Sequence, residues 1–304
     1  MGRVLVAAFI VICAVEAWNL FTNKPPKPFQ VQRLLDIIPA KSSCGPFNAW
    51  GVSPIGKDRI LVVDQGGNRL LVFDRQGNCV KSWGKAGTST NQFREPSSAV
   101  SDGKGNAYVI DTWNTSIKGF DENGKPVGYI DLSYNKNFYG PRGLSMAGKN
   151  FLVADTGNHR IVVVSPEGNI LAVFGKKGNG KGEFEGPQSV CMDSKGGFLV
   201  ADTENGRLQW LDQDGKVQKM YKFTGSVNSV TVDKQGRFYV ANGDNAGCIK
   251  VYSPSGNLLG NLVDEKGSGD SFHSIRSMVV DPNNVLMTST SDLVALYQLP
   301  SGNP

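Results

Sequence analysis

The chain has 304 residues, 39% of them hydrophobic and 37 of them glycine, with two histidines and a net charge of +5. That suits one large β-domain rich in tight turns, and two histidines are too few for a histidine-based zinc site. Residues 1–45 carry five basic side chains (Arg3, Lys24, Lys27, Arg33, Lys41) against Glu16 and Asp36, so about +2 is left for the rest, too little to argue for a nucleic-acid surface.

In chain order, the first feature is Val4–Val15, an uncharged apolar run after Arg3. It has the length of a signal-peptide core, with Val15-Glu16-Ala17 as a cleavage site. Extended to Phe21 it would give roughly 27 Å of helix, enough to cross a bilayer with some thinning, with Glu16 and Asn19 near the outer interface and Trp18 as an aromatic anchor. Either reading carries the remainder across a membrane. Lys24-Pro25-Pro26-Lys27-Pro28 is a stiff spacer that a cleaved leader would not need, which favours a retained anchor. Residues 1–22 are therefore assigned to a signal peptide or transmembrane anchor, 23–28 to a spacer and 29–304 to the folded domain.

Beyond Ile38 one pattern recurs. Short β-branched runs broken by Gly, Asn and Pro repeat around an aspartate or its substitute at Asp64, Asp111, Asp155, Asp202, Asn242 and, faintly, Ser289. The step of about 45 residues suits one four-stranded sheet per repeat. The unit around Asp155 predicts strands at Gly143–Met146, Asn150–Ala154, Arg160–Val164 and Ile170–Phe174, joined by turns such as Pro166-Glu167-Gly168-Asn169. No segment of the repeats shows apolar residues sustained at helical spacing. The expected fold is all-β, a six-bladed propeller of four-stranded antiparallel blades. The last unit ends after its third strand, Leu293–Leu299, so Phe29–Ile37 is expected to supply the outer strand of the sixth blade and remove a sheet edge.

The block Asp155-Thr156-Gly157-Asn158-His159-Arg160 and its copies resemble NHL repeats, whose signature is Asp-Thr-x-Asn-x-Arg before an apolar strand. Asp202, Asn205 and Arg207 nearly repeat it; Asp64, Asn68 and Arg69 carry an extra glycine; Asp111 and Asn114 lack the arginine. The resemblance spans roughly residues 45–299 and implies a propeller without specifying a function. The signature residues are read as turn and blade braces. Asn114-Thr115-Ser116 is also a glycosylation sequon, but it falls inside the signature.

Catalytic patterns are scarce. The six-bladed peptide-amidating lyases share NHL-like repeats but use a histidine-rich zinc site that this chain cannot supply. There is no Gly-x-Ser-x-Gly elbow and no Cys-x-x-Cys. Gly175–Gly182 approaches a nucleotide-binding loop, yet Gly182 stands where Ser or Thr is needed and a strand follows, so it is read as a link between blades. Cys44, Cys79, Cys191 and Cys248 are expected to be mostly free, with Cys44 and Cys79 on opposite faces of the ring and a Cys44–Cys248 bridge as a remote alternative.

Aligning the inner strands on Pro96, Pro141 and Pro187 places one residue per blade at the channel mouth: Trp50, Ser97, Arg142, Gln188, Asn228 and Arg276. Small residues follow each, a packing requirement near the axis. Two arginines on opposite sides with a tryptophan suit an anionic peptide tail or an acidic sugar, unless they merely pair with Glu95, Glu183 or Glu185. The ring holds no carboxylate, unlike metal-binding lactonase channels, and Asp102 and Asp193 are expected in turns. Loops 84–95, 175–186 and 263–274 share that face, and Trp113, Tyr134, Phe138, Tyr139 and Trp210 are further partner-surface candidates.

These residues point to an extracytoplasmic, membrane-tethered binding or assembly module for protein or glycan partners, within a membrane or envelope complex in the periplasm or at the cell surface. No cofactor, metal or catalytic residue is expected. A metal-dependent lyase or hydrolase in the channel is the alternative. RNA binding, known among intracellular NHL proteins with a strongly basic face, is disfavoured by the near-neutral ring and the export segment.

Overall fold

A computed structural model describes residues 28–133, 137–243, 249–263 and 272–302. Within them the strands form six sheets arranged as the blades of a propeller. From the axis outward, blade one runs Ala49–Ile55, Arg59–Asp64, Arg69–Phe73 and Cys79–Trp83, each strand antiparallel to the last. Blade three runs Gly143–Ala147, Asn150–Asp155, Arg160–Val164 and Ile170–Phe174, within one residue of the sequence-based boundaries.

The two middle strands of each blade are packed on both faces, which is why they read as unbroken apolar runs and not as alternations. In blade three Leu152, Val153, Ala154, Ile161 and Val162 are all buried. The core is accordingly a set of seams between neighbouring blades. Leu61, Val63 and Val72 meet Ala107, Val109 and Phe120 between blades one and two, and Leu199 and Leu208 meet Val230 and Val240 between blades four and five. Each fully buried Leu, Val or Phe contributes about 1.5–3 kcal/mol relative to exposure.

Closure follows the expected plan with one correction. Gln32–Ile37 pairs antiparallel with Val294–Gln298, from Gln32 opposite Gln298 to Ile37 opposite Val294, and so completes blade six. Phe29 and Gln30 do not belong to that strand. They pair in parallel with Leu262 and Val263 on the outer edge of blade five, and Val31 N–H donates to Val263 O at 3.0 Å. The single strand expected at 29–37 is thus shared by two blades, because the chain steps from one blade edge to the next at Val31.

The other end is fastened to blade five as well. Arg237, in the turn after its inner strand, ion-pairs with Asp233 at 2.6 Å and donates to the carbonyls of Gly302 and Pro300 at 2.8 and 2.9 Å. Its guanidinium also lies 5.2 Å from the centre of the buried Phe29 ring. Arg75 Nη2 and Asp281 Oδ2, 2.7 Å apart, join blade one to blade six across the closure.

The expectation for Cys44 and Cys79 is overturned. They form a disulfide with a Cα–Cα distance of 5.8 Å, within the ordinary range. The connection into blade one does not stay on one face. It lies against the outer strand, where Cys44 Sγ is 3.9 Å from Lys81 O. Cys191 is free. The hydrophobic helix assigned to residues 1–22, nearly all of the spacer, Tyr134 and Cys248 lie outside the described residues. Among the described residues, no helix is long and apolar enough to cross a membrane.

Candidate functional site

Small residues bring the inner strands together at the axis. A Cβ on Gly143 would come within 2.5 Å of Gln188 O, and one on Gly51 within 2.9 Å of Ser97 O. Hydroxyls stitch the same strands across blades: Met278 N–H donates to Ser229 Oγ at 3.0 Å and Val280 N–H to Thr231 Oγ1 at 3.3 Å. The result is a narrow channel with a cavity of about 200 Å³, and Trp50, Ser97, Arg142, Gln188, Asn228 and Arg276 all line it, one from each blade.

At the mouth the Trp50 ring meets both arginines, with the guanidinium of Arg142 at 5.3 Å and that of Arg276 at 4.9 Å from its centre. An indole spans the short distance across the axis, so residues of opposite blades meet on one ring, an arrangement favourable for cations over an aromatic face. The two arginines differ in their other partners. Arg276 Nη1 donates to Asn48 Oδ1 and, at 3.2 Å, to Ala49 O. Burial pushes the Arg276 pKa down, with the field of Asp292 opposing. Arg142 makes no side-chain hydrogen bond or ion pair among the described residues.

The glutamates that could have neutralised them are engaged elsewhere. Glu95 Oε2 accepts from Trp113 Nε1 at 3.1 Å, and Glu183 and Glu185 pair with Lys176 and Lys177 at 3.3 and 3.2 Å. Ser97 Oγ donates to Arg142 O at 2.9 Å, and Asn228 Nδ2 to Ile275 O at 3.4 Å, so these two stabilise the mouth itself. The described lining holds no carboxylate and no histidine. Asp102 and Asp193 sit in turns, each accepting from two backbone N–H groups two and four residues on, and Asp193 also accepts from Trp210 Nε1. No cluster of three or more His, Cys, Asp or Glu side chains suited to a metal occurs among the described residues.

The repeat signature forms a second constellation, with one geometry in four blades. The buried aspartate uses one oxygen to accept a backbone N–H from the loop entering its own blade: Asn48 for Asp64 at 2.9 Å, Arg94 for Asp111 at 2.7 Å, Tyr139 for Asp155 at 2.8 Å and Glu185 for Asp202 at 2.7 Å. The other oxygen pairs with Arg69, Arg160 or Arg207 at 2.6–2.7 Å. Those arginines also donate to carbonyls of the entering loop, such as Pro46 and Gly180. Asn114, Asn158 and Asn205 bond both to the aspartate and to that loop. Asn68 is different. It occupies the left-handed position that Thr115 and His159 hold in their blades, with φ +51°, and accepts Glu95 N–H of the next blade at 2.8 Å. His159 Nδ1 accepts Gly186 N–H in the same way at 3.0 Å.

The NHL repeat family model matches residues 138–164 and 184–211, the blades whose signatures are most complete. The chain carries NHL repeats in a six-bladed propeller. It is similar to the protein lin-41 of Caenorhabditis elegans, 44% identical over 52 residues, 17% of this chain and 4% of that protein. It is also similar to NHL repeat-containing protein 3 of Homo sapiens, 40% identical over 57 residues, 19% of this chain and 16% of that one. The chain thus spans only a small part of these curated relatives. Among solved structures, a streptogramin B lyase covers 90% of this chain and 98% of its own at TM-score 0.61 and 11% identity. The WD40 propeller domain of Doa1 covers 89% and 98% at TM-score 0.61 and 12% identity. At such identities the likeness establishes the fold alone.

Two parts of this NHL propeller escaped sequence reasoning. Blade two lacks the signature arginine, yet Lys118, fully buried two residues further along the strand, ion-pairs with Asp111 at 2.7 Å and donates to Ser89 O and Gln92 O. A lone lysine inside Ile117-Lys118-Gly119-Phe120 was the available signal. Arg237 left a weaker one, since a charged residue after a Gly in a turn is ordinarily solvated. Of the aromatic candidates, Trp113 and Tyr139 are exposed and meet edge to face at 5.8 Å, whereas Phe138 is buried in the seam between blades two and three.

Proposed function

We propose that this NHL propeller is a non-catalytic binding or assembly module, delivered across a membrane, whose channel mouth receives an anionic group of a protein or glycan partner. The observation that carries this reading is Arg142: a guanidinium stacked on Trp50 at a carboxylate-free mouth, with its hydrogen-bond donors unmatched by protein acceptors among the described residues. Guanidinium forks match carboxylates in geometry, and the indole adds a flat apolar surface beside them. Gln188, also at the mouth, adds a carboxamide, and the exposed Trp113 and Tyr139 lie on loops entering or capping blades two and three on the same face. Export is supported by the apolar run Val4–Val15 and by the Cys44–Cys79 disulfide, a bond that persists in oxidising compartments.

Replacing Arg142 and Arg276 by alanine should abolish capture of the native partner from solubilised membranes while leaving the melting temperature within a few degrees of the parent. Undiminished capture by that variant removes the mouth from consideration. Mass spectrometry of the native N-terminus separates the two fates of the leader, since a chain beginning at Trp18 rules out the anchor. The channel-enzyme alternative draws on the lyase likeness at the level of fold only, and a stoichiometric metal found by elemental analysis would favour it.

A further inference from the structure

The outer strands of a propeller are its unpaired edges, and this ring protects most of them with charge. Lys81 lies on the outer strand of blade one, Asp131 on that of blade two, Lys219 and Lys222 on that of blade four, and Arg33 and Asp36 on that of blade six. Charged side chains on an edge discourage pairing with another chain. Two outer strands have none: Leu258–Val263 of blade five and Ile170–Phe174 of blade three. The first is already covered, because Phe29 and Gln30 pair with it in parallel. The second is bare. Ile170, Leu171 and Val173 are 38%, 54% and 46% exposed, the densest run of exposed large aliphatic side chains among the described outer strands.

The charges beside the bare strand indicate what covers it. Glu167 lies in the turn just before Ile170, while Lys176 and Lys177 follow Phe174; they are 77% and 68% exposed, and their surface pairs with Glu183 and Glu185, at 3.3 and 3.2 Å, leave each ammonium open to a second carboxylate. The segment therefore reads acidic, apolar, basic from one end to the other. A second copy approaching antiparallel, about a two-fold axis near Ala172, brings Glu167 of each copy to the lysines of the other. A parallel approach would juxtapose like charges. Edge-to-edge pairing of identical strands about a two-fold axis is a closed, isologous interface, so it stops at two.

We propose that the Ile170–Phe174 edge of blade three is a homodimerisation surface, on which a second copy of this chain continues the sheet antiparallel. The paired edge is short, so the association is weak and concentration-dependent, below the area of a permanent dimer. It is independent of the channel-mouth reading, and the two fail separately.

The test is sedimentation equilibrium of the purified full-length chain in a non-ionic detergent over a wide range of protein concentration. The native chain should show a reversible monomer–dimer equilibrium. Val173→Lys, placed on a half-exposed position, should raise the dissociation constant at least about tenfold with an unchanged melting temperature. Glu167→Lys alone should weaken association, and combining it with Lys176→Glu and Lys177→Glu should restore it. Because the N-terminal segment alone could drive self-association in detergent, the readout is the difference between variants that share it. A native chain that stays monomeric, a dimer indifferent to Val173→Lys, or a charge swap that fails to restore pairing overturns the proposal.

Discussion

Each signature aspartate joins two pieces of chain that are distant in sequence, a loop entering the blade and the turn between its second and third strands. Its carboxylate is buried, so the charge must be met by several donors, and Asp111 shows how the requirement can be satisfied without the usual arginine. Lys118→Met should therefore destabilise the ring by about 3–5 kcal/mol, because it strands a buried carboxylate and two carbonyls. The double variant with Asp111→Asn should cost less than the two single changes added together. Urea unfolding of the three variants measures this coupling. A second residue-level effect is alkaline. Burial raises the Tyr221 phenol from 10.0 to about 12. The folded state then holds that proton more tightly than the unfolded chain, so the stabilisation is complete below pH 10 and is lost as the pH rises through about 12. Tyr221→Phe should remove part of the fall in melting temperature between those values, at the cost of the bond to Gly256 O.

Among the elements, the N-terminal segment bears more than its length suggests. Gln32–Ile37 completes blade six, Phe29–Gln30 covers blade five, and the connection that follows is tied to blade one through Cys44. One segment therefore touches three consecutive blades at the place where the ring closes. Deleting residues 29–37 should lower the melting temperature by well over 10 °C, since it exposes two sheet edges and leaves Tyr297, Leu296 and Leu262 without their cover. Thermal melts followed by circular dichroism test this, and an unchanged melt would contradict the assignment. Reduction of the disulfide is the milder perturbation. It releases a loop between residues 35 apart in sequence, worth about 3–4 kcal/mol in the chain-entropy account.

At the scale of the whole molecule, the period of the repeat, the incomplete last unit and the orphan strand before the first were all legible, and together they specify a ring closed by its own N-terminal end. Strand boundaries in blade three could be read because its strands are β-branched and its turns carry Gly, Asn and Pro. The six mouth positions could be aligned because prolines mark the entry to three inner strands. The contacts among those six could not. Position along a strand gives the blade and the height, but the reach of a side chain across the axis depends on how closely six inner strands converge. For that reason two arginines expected on opposite sides meet on Trp50.

The local periodicities are written in the chain: where the strands of a repeat fall and which residues hold its turns. Those depend on interactions within one repeat of the chain. Long-range contacts became visible in the folded ring alone, namely the Cys44–Cys79 bridge, the hold of Arg237 on the C-terminal carbonyls, the division of residues 29–37 between two blades, and the approach of Arg142 and Arg276 to Trp50. Each brings together groups whose separation in space is set by the circle closing, a quantity that no single repeat contains.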